Sequence, residues 1–199
     1  MKRSSILQLR SGVAIIGVGA LIALTLALPA VAEPRSALGP DRLVAVLSLA
    51  PVQLDVPYAP IPSSENLAVL TESLRKSIRL NGIGLIQAGR IRKALRDAGF
   101  DQANVLRACV EVQCAVRIAR SVGAHTVVVG LVTHATGVYW QTDVRVMSAT
   151  SGREYGHYTG KVVGDVLSME RHEDVVGRCV AQLIRKQRPC RGDDPGPWM

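Results

Sequence analysis

Thr126-Val127-Val128-Val129-Gly130-Leu131-Val132 is the most strand-like run in the chain, with four valines and one threonine in seven residues. Their β-branched side chains suit a pleated, half-buried surface. Gly137 breaks the run, and Val138 to Met147 then alternates. Val138, Trp140, Thr142, Val144 and Val146 fall on one side, with Tyr139, Gln141, Asp143, Arg145 and Met147 on the other. That period of two predicts a strand buried on one face only. Thr150-Ser151-Gly152 makes the turn into a further strand over Arg153 to Val163, so this half of the chain reads as an antiparallel meander.

Upstream of the meander the period changes to that of a helix. Val116, Ile118, Ala119 and Val122 keep helical spacing and Gly123 follows them, while Arg90 to Ala98 turns Ile91, Ala94 and Leu95 inward and is closed by Gly99. A longer helix begins at Ser63 or Ser64, carries Leu67, Leu70, Leu74 and Ile78 on its buried stripe, and ends at Asn81-Gly82. Glu72, Arg75, Lys76 and Arg79 are expected on its other faces. Leu43 to Leu47 is a continuous apolar run of strand length before it, and Ile83 to Ile86 resumes as a short strand after it, the pattern of a parallel β-α-β unit. Pro51, Pro57, Pro60 and Pro62 make the intervening segment, from Ala50 to Pro62, an extended loop. A last helix from about Ser168 to Lys186 turns Val175, Val176, Val180, Leu183 and Ile184 inward. The expected fold is therefore α/β (α+β), a mixed β-sheet with a parallel first half, an antiparallel meander second half, and helices packed on the sheet.

The ends set the compartment. Lys2, Arg3 and Arg10 precede an uncharged apolar stretch from Val13 to Leu28, then Pro29 and Ala30-Val31-Ala32. This order predicts a signal peptide over residues 1–32, and the apolar stretch is shorter than the ~20 residues that cross a bilayer. No cysteine stands at or just after the expected cleavage point to carry a lipid. The expected product is periplasmic or secreted, with no stable membrane anchor after cleavage. Residues 33–41 are a flexible linker, 42–188 a single domain, and 189–199 a loose tail. The formal charge of +8 loses the three leader cations, and the remaining bias of about +5 favours anionic surfaces only mildly. Aromatics are 4% of the chain and do not interleave with Lys and Arg, so a nucleic-acid partner is set aside.

The four cysteines, Cys109, Cys114, Cys179 and Cys190, all follow the expected leader, and an even number in an exported chain points to disulfides. Three pairings are open. Cys109 with Cys114 and Cys179 with Cys190 is the expected one, because each closes a short loop beside a helix end. Zinc is the alternative, but neither spacing is that of a C-x-x-C knuckle. His125, His134, His157 and His172 lack HExxH or HxH spacing, leaving only a meeting of His134 and His157 across adjacent strands as a metal candidate. There is no G-x-S-x-G elbow and no Walker or G-x-G-x-x-G loop, so no catalytic residue and no cofactor is implied.

The stretch Cys109-Val-Glu-Val-Gln-Cys114, with Ile118-Ala119, Gly123-Ala124, Val127-Val128-Val129-Gly130, Asp143 and Thr150-Ser151-Gly152, resembles a family of uncharacterised proteobacterial exported domains. Its pattern is also similar, more loosely, to the TolB amino-terminal domain and to envelope-assembly relatives, among them curli secretion lipoproteins and activators of penicillin-binding proteins. The resemblance covers Leu43 to Arg188 and implies a TolB-amino-terminal-like fold, an envelope location and no catalytic residues. Ser151 between Thr150 and Gly152, and His125 after Ala124, depart from the pattern.

The surface expected to make contact is the exposed face of the meander, with Tyr139, Gln141, Arg145, Tyr155, His157 and Tyr158. Tyr and Arg are favoured at interface centres, and an antiparallel edge accepts a partner strand. The sequence thus reads as a non-catalytic binding or assembly module of the cell envelope with a protein partner. The alternative is a small-ligand carrier or enzyme whose site assembles from scattered residues.

Overall fold

A computed structural model of the protein describes residues 43–52, 60–100, 109, 111–136 and 138–185. The expected leader, linker and tail, together with Gly137 and Cys190, lie outside the described residues.

The sheet is built around the valine-rich run. β3 (Thr126–Thr136) pairs antiparallel with β4 (Tyr139–Ser148), which pairs antiparallel with β5 (Glu154–Val163). On its other side β3 receives two short parallel strands in succession, β1 (Val44–Val46) opposite Thr126 to Val128 and β2 (Ala50–Val52) opposite Leu131 to Thr133. The mixed parallel and antiparallel sheet expected from the sequence is thus present.

Two local expectations are corrected. Ala50 to Val52, expected within the proline-rich loop, forms a strand. Pro51 is tolerated because these three residues pair with β3 alone among the described strands. Ile83 to Ile86 forms no full strand; Leu85 makes an isolated parallel bridge to Val44, flanked by bonds between Val44 and the backbone of Gly84 and Ile86.

Four described helices cover the sheet unequally. α1 (Ser64–Leu80) starts where the Ser63 hydroxyl accepts from the Asn66 amide at 3.1 Å, and ends at Gly82 with φ 74°. It buries Leu67, Leu70, Leu74 and Ile78 with α4 (Val166–Ile184), whose amino end is capped by Asp165. The two helices touch closely at Gly177, where an added Cβ would overlap Ser77, and Ser77 Oγ donates to the Asp174 carbonyl at 3.0 Å. Together they cover the sheet face formed by Val128, Val132, Trp140, Val144, Val146 and Tyr158. Burial of this apolar surface is the main stabilising contribution on that side.

The opposite face is covered only in part. α2 (Ala88–Asp97) and α3 (Val112–Ser121) pack over Ala45, Val127, Val129 and Met147, the half of the sheet nearest β1 and the end of β4. Met147 is therefore fully buried, and β4 is one-sided only along its first part. The disulfide Cys109–Cys114 ties the chain before α3 to its first turn. Cys179 is buried in α4, and no described cysteine carries an unpaired thiol.

Candidate functional site

α2 and α3 stop short, and no described element covers the remaining half of that sheet face. Strand register fixes which side chains share it. Gln141 stands opposite Thr133 and Lys161, Asp143 opposite Leu131 and Thr159, and Arg145 opposite Val129 and His157. Between this floor and the start of α3 at Glu111 and Val112 runs a groove of about 740 Å³.

Its polar groups are mutually oriented. Asp143 accepts from Gln141 Nε2 at 2.8 Å and from the Thr159 hydroxyl at 2.6 Å, one bond on each carboxylate oxygen. His157 Nδ1 lies 3.2 Å from Glu154 Oε1, while Arg145 is exposed and makes no ion pair among the described residues. The floor is therefore a pre-arranged set of donors and acceptors, beside which Arg145 and Lys161 both stand exposed without an ion pair among the described residues.

The far end of this surface is apolar. Val138 is 56% exposed and Val163 72%. Val163 pairs with the half-buried Tyr139, and the Gly164 amide donates to the Val138 carbonyl at 2.7 Å, so the start of β4 and the end of β5 form one tip. Among the described strands β5 is also an edge strand, paired with β4 alone. A register shift between Val146 and Met147 leaves Tyr155 as the extra residue of a bulge, partly exposed at that edge.

Of the six expected contact residues, Gln141, Arg145 and His157 line one face, with Tyr139 at its end and Tyr155 at the edge bulge. Tyr158 is a correction. It pairs with Val144, is 4% exposed and belongs to the core under α4. Neighbouring strand residues point to opposite faces, so His157 and Tyr158 cannot share one. Asp143 and Thr159, absent from the expected set, sit at its centre; the sequence signal was their parity with Arg145 and His157 once the strands are paired.

His134 and His157 do not meet across adjacent strands. β4 separates His134 on β3 from His157 on β5, and His134 instead stacks on Trp140 with ring centroids 3.7 Å apart. No group of three or more metal-ligating side chains occurs among the described residues. Beneath the sheet, Glu173 of α4 is fully buried and accepts from the Thr142 hydroxyl at 2.9 Å. Burial pushes its carboxyl up to about 8. Burial, and then the nearby Glu173, raise the Tyr158 phenol, and burial lowers the His172 imidazole. Glu173 and Tyr158 of this cluster are buried in the core. No described helix is long and apolar enough to cross a membrane.

No family model matches the chain, and no curated protein matches it. Solved structures do. The LpoB C-terminal domain from Salmonella enterica is 18% identical, with a TM-score of 0.48 over 62% of this chain and 83% of that one. Lipoprotein GNA1162 from Neisseria meningitidis is 14% identical, with a TM-score of 0.49 over 68% and 94%. PelC from Paraburkholderia phytofirmans, a dodecamer, is 18% identical, with a TM-score of 0.44 over 72% and 89%. These likenesses are distant, and the functional reading rests on the chain's own groove and sheet edge.

Proposed function

We propose that the protein is a non-catalytic binding or assembly module of the cell envelope that holds a protein partner on the open face of β3, β4 and β5. The observation that carries this reading is the half-covered sheet face, with an oriented polar floor of Gln141, Asp143, Arg145, His157 and Thr159 running to an apolar tip at Val138 and Val163. A mixed apolar and polar surface beside a strand edge suits a protein more than a small molecule. The groove is open, and the polar side chains along it bond to one another rather than converging on an enclosed point. That favours the module over the alternative of a small-ligand carrier or enzyme. The Cys109–Cys114 disulfide supports an oxidising, extracytoplasmic compartment.

Affinity capture after crosslinking in the native host tests the reading, comparing the wild type with the combined Gln141→Ala, Arg145→Ala and His157→Ala variant. The expected result is a specific envelope protein retained by the wild type and lost by the variant, with both proteins equally folded. Equal retention by both would remove this face from the account.

A further inference from the structure

A second concavity lies at the opposite edge of the sheet. Beyond the bridge at Leu85 no described backbone group pairs with the edge of β1, and a crevice of about 290 Å³ opens there between α1 and α2, beside the carboxyl end of β1. The carboxyl ends of parallel strands are recurrent ligand positions in α/β folds. Ser64, Ala68 and Thr71 form the α1 wall, and their short side chains leave the space unfilled. Leu67, Ile91, Leu95 and Phe100 give it an apolar lining.

The charge on the rim is one-sided. Arg75, expected on an exposed face of α1, is 3% exposed at the inner end of the crevice. Its guanidinium takes over the missing strand partner, donating to the Val46 carbonyl at 3.1 Å and the Ile86 carbonyl at 2.7 Å. Glu72 approaches its Nε at 3.6 Å, so this cation is partly matched. Arg92 and Arg96 are not. They stand one turn apart on α2, both exposed, with no ion pair among the described residues. The surroundings lower the Arg75 pKa, by burial first, against the pull of Glu72, with Arg79 and Arg92 adding repulsion. Among the described residues the crevice is thus short of negative charge.

We propose that this crevice binds a single-chain anionic amphiphile, with its apolar tail between α1 and α2 and its anionic head on Arg92 and Arg96. The apolar lining disfavours a purely hydrophilic anion, and the unmatched arginines disfavour a neutral or cationic chain. The volume is at the small end for ligand pockets, which suits one chain rather than a two-chain lipid. The site is separate from the open face of the meander, so neither reading depends on the other.

The test titrates the full chain with sodium decanoate below its micelle concentration. Displacement of 1-anilinonaphthalene-8-sulfonate fluorescence and amide chemical shifts are followed together. The expected result is saturable displacement, with shifts confined to α1, α2 and their flanks. The exposed pair Arg92→Gln and Arg96→Gln should weaken decanoate at least tenfold, and Ala68→Leu, which fills the crevice from an exposed helix position, should do the same. Decyltrimethylammonium should not compete. Absence of saturable binding, equal affinity in the arginine variants, equal competition by the cationic amphiphile, shifts elsewhere, or binding only to phosphatidylglycerol vesicles would each overturn the proposal. Unchanged urea midpoints in all variants guard against a folding defect.

Discussion

Replacing Glu173 by glutamine should change how stability depends on pH. Glu173 has no exposed surface; Oε1 accepts from Thr142, and Oε2 has no hydrogen-bond partner among the described residues. Burial raises its carboxyl from 4.5 to about 8, against the Thr142 hydrogen bond, with Asp174 adding to the rise. Folding therefore takes up a proton at this site. Stability is fully present below pH 4.5 and is lost as the pH rises toward about 8. Each unit of this window corresponds to about 1.4 kcal/mol, so roughly 3 kcal/mol is lost between the unfolded value and neutrality. The Glu173→Gln side chain keeps the volume and the acceptor for Thr142 but does not titrate. Its amide N–H adds a cost that is independent of pH, so the slope and not the offset carries the test. Urea unfolding of both proteins across pH 4.5 to 8 should show wild-type stability falling relative to the variant by about 1 kcal/mol or more per unit. Parallel curves would refute the reasoning.

Gly177→Ala should destabilise by about 1–3 kcal/mol, because its Cβ would press on Ser77 and approach the Ile78 amide nitrogen at the α1–α4 seam; the urea midpoint measures it. Ser63→Ala removes the hydroxyl that caps α1 and should cost ~1 kcal/mol, read from thermal melting. Arg145→Ala and His157→Ala lie exposed on the open face and should each change stability by no more than about 0.5 kcal/mol in the same melting assay, whereas Gln141→Ala, which removes a donor to Asp143, should cost about 1 kcal/mol.

The elements with long regular periods are legible in the sequence. The alternation from Trp140 to Val146 assigns β4 its buried face, and the leucines at 67, 70 and 74 assign α1 its own. Failures come where a partner far along the chain decides. Pro51 speaks against a strand, yet β2 forms because β3 supplies its pairing. Arg75 reads as a solvated helix charge, but its burial depends on the Val46 carbonyl 29 residues away, as that of Glu173 depends on the Thr142 hydroxyl 31 residues away. Residue type groups Tyr158 with its neighbours, whereas strand parity sends it to the core. Half of the candidate site is visible as exposed strand residues. The half-length cover of α2 and α3, which creates the groove, belongs to tertiary packing and leaves no local trace.

Site-specific photocrosslinking in the native host locates the partner on the protein's surface. A photoreactive residue replaces either Arg145, on the open face, or Arg178, on the exposed side of α4. One discrete protein adduct is expected from position 145 and none of the same species from position 178. The same adduct from position 178, or an adduct there and none at 145, would contradict the assignment of the partner to this sheet face.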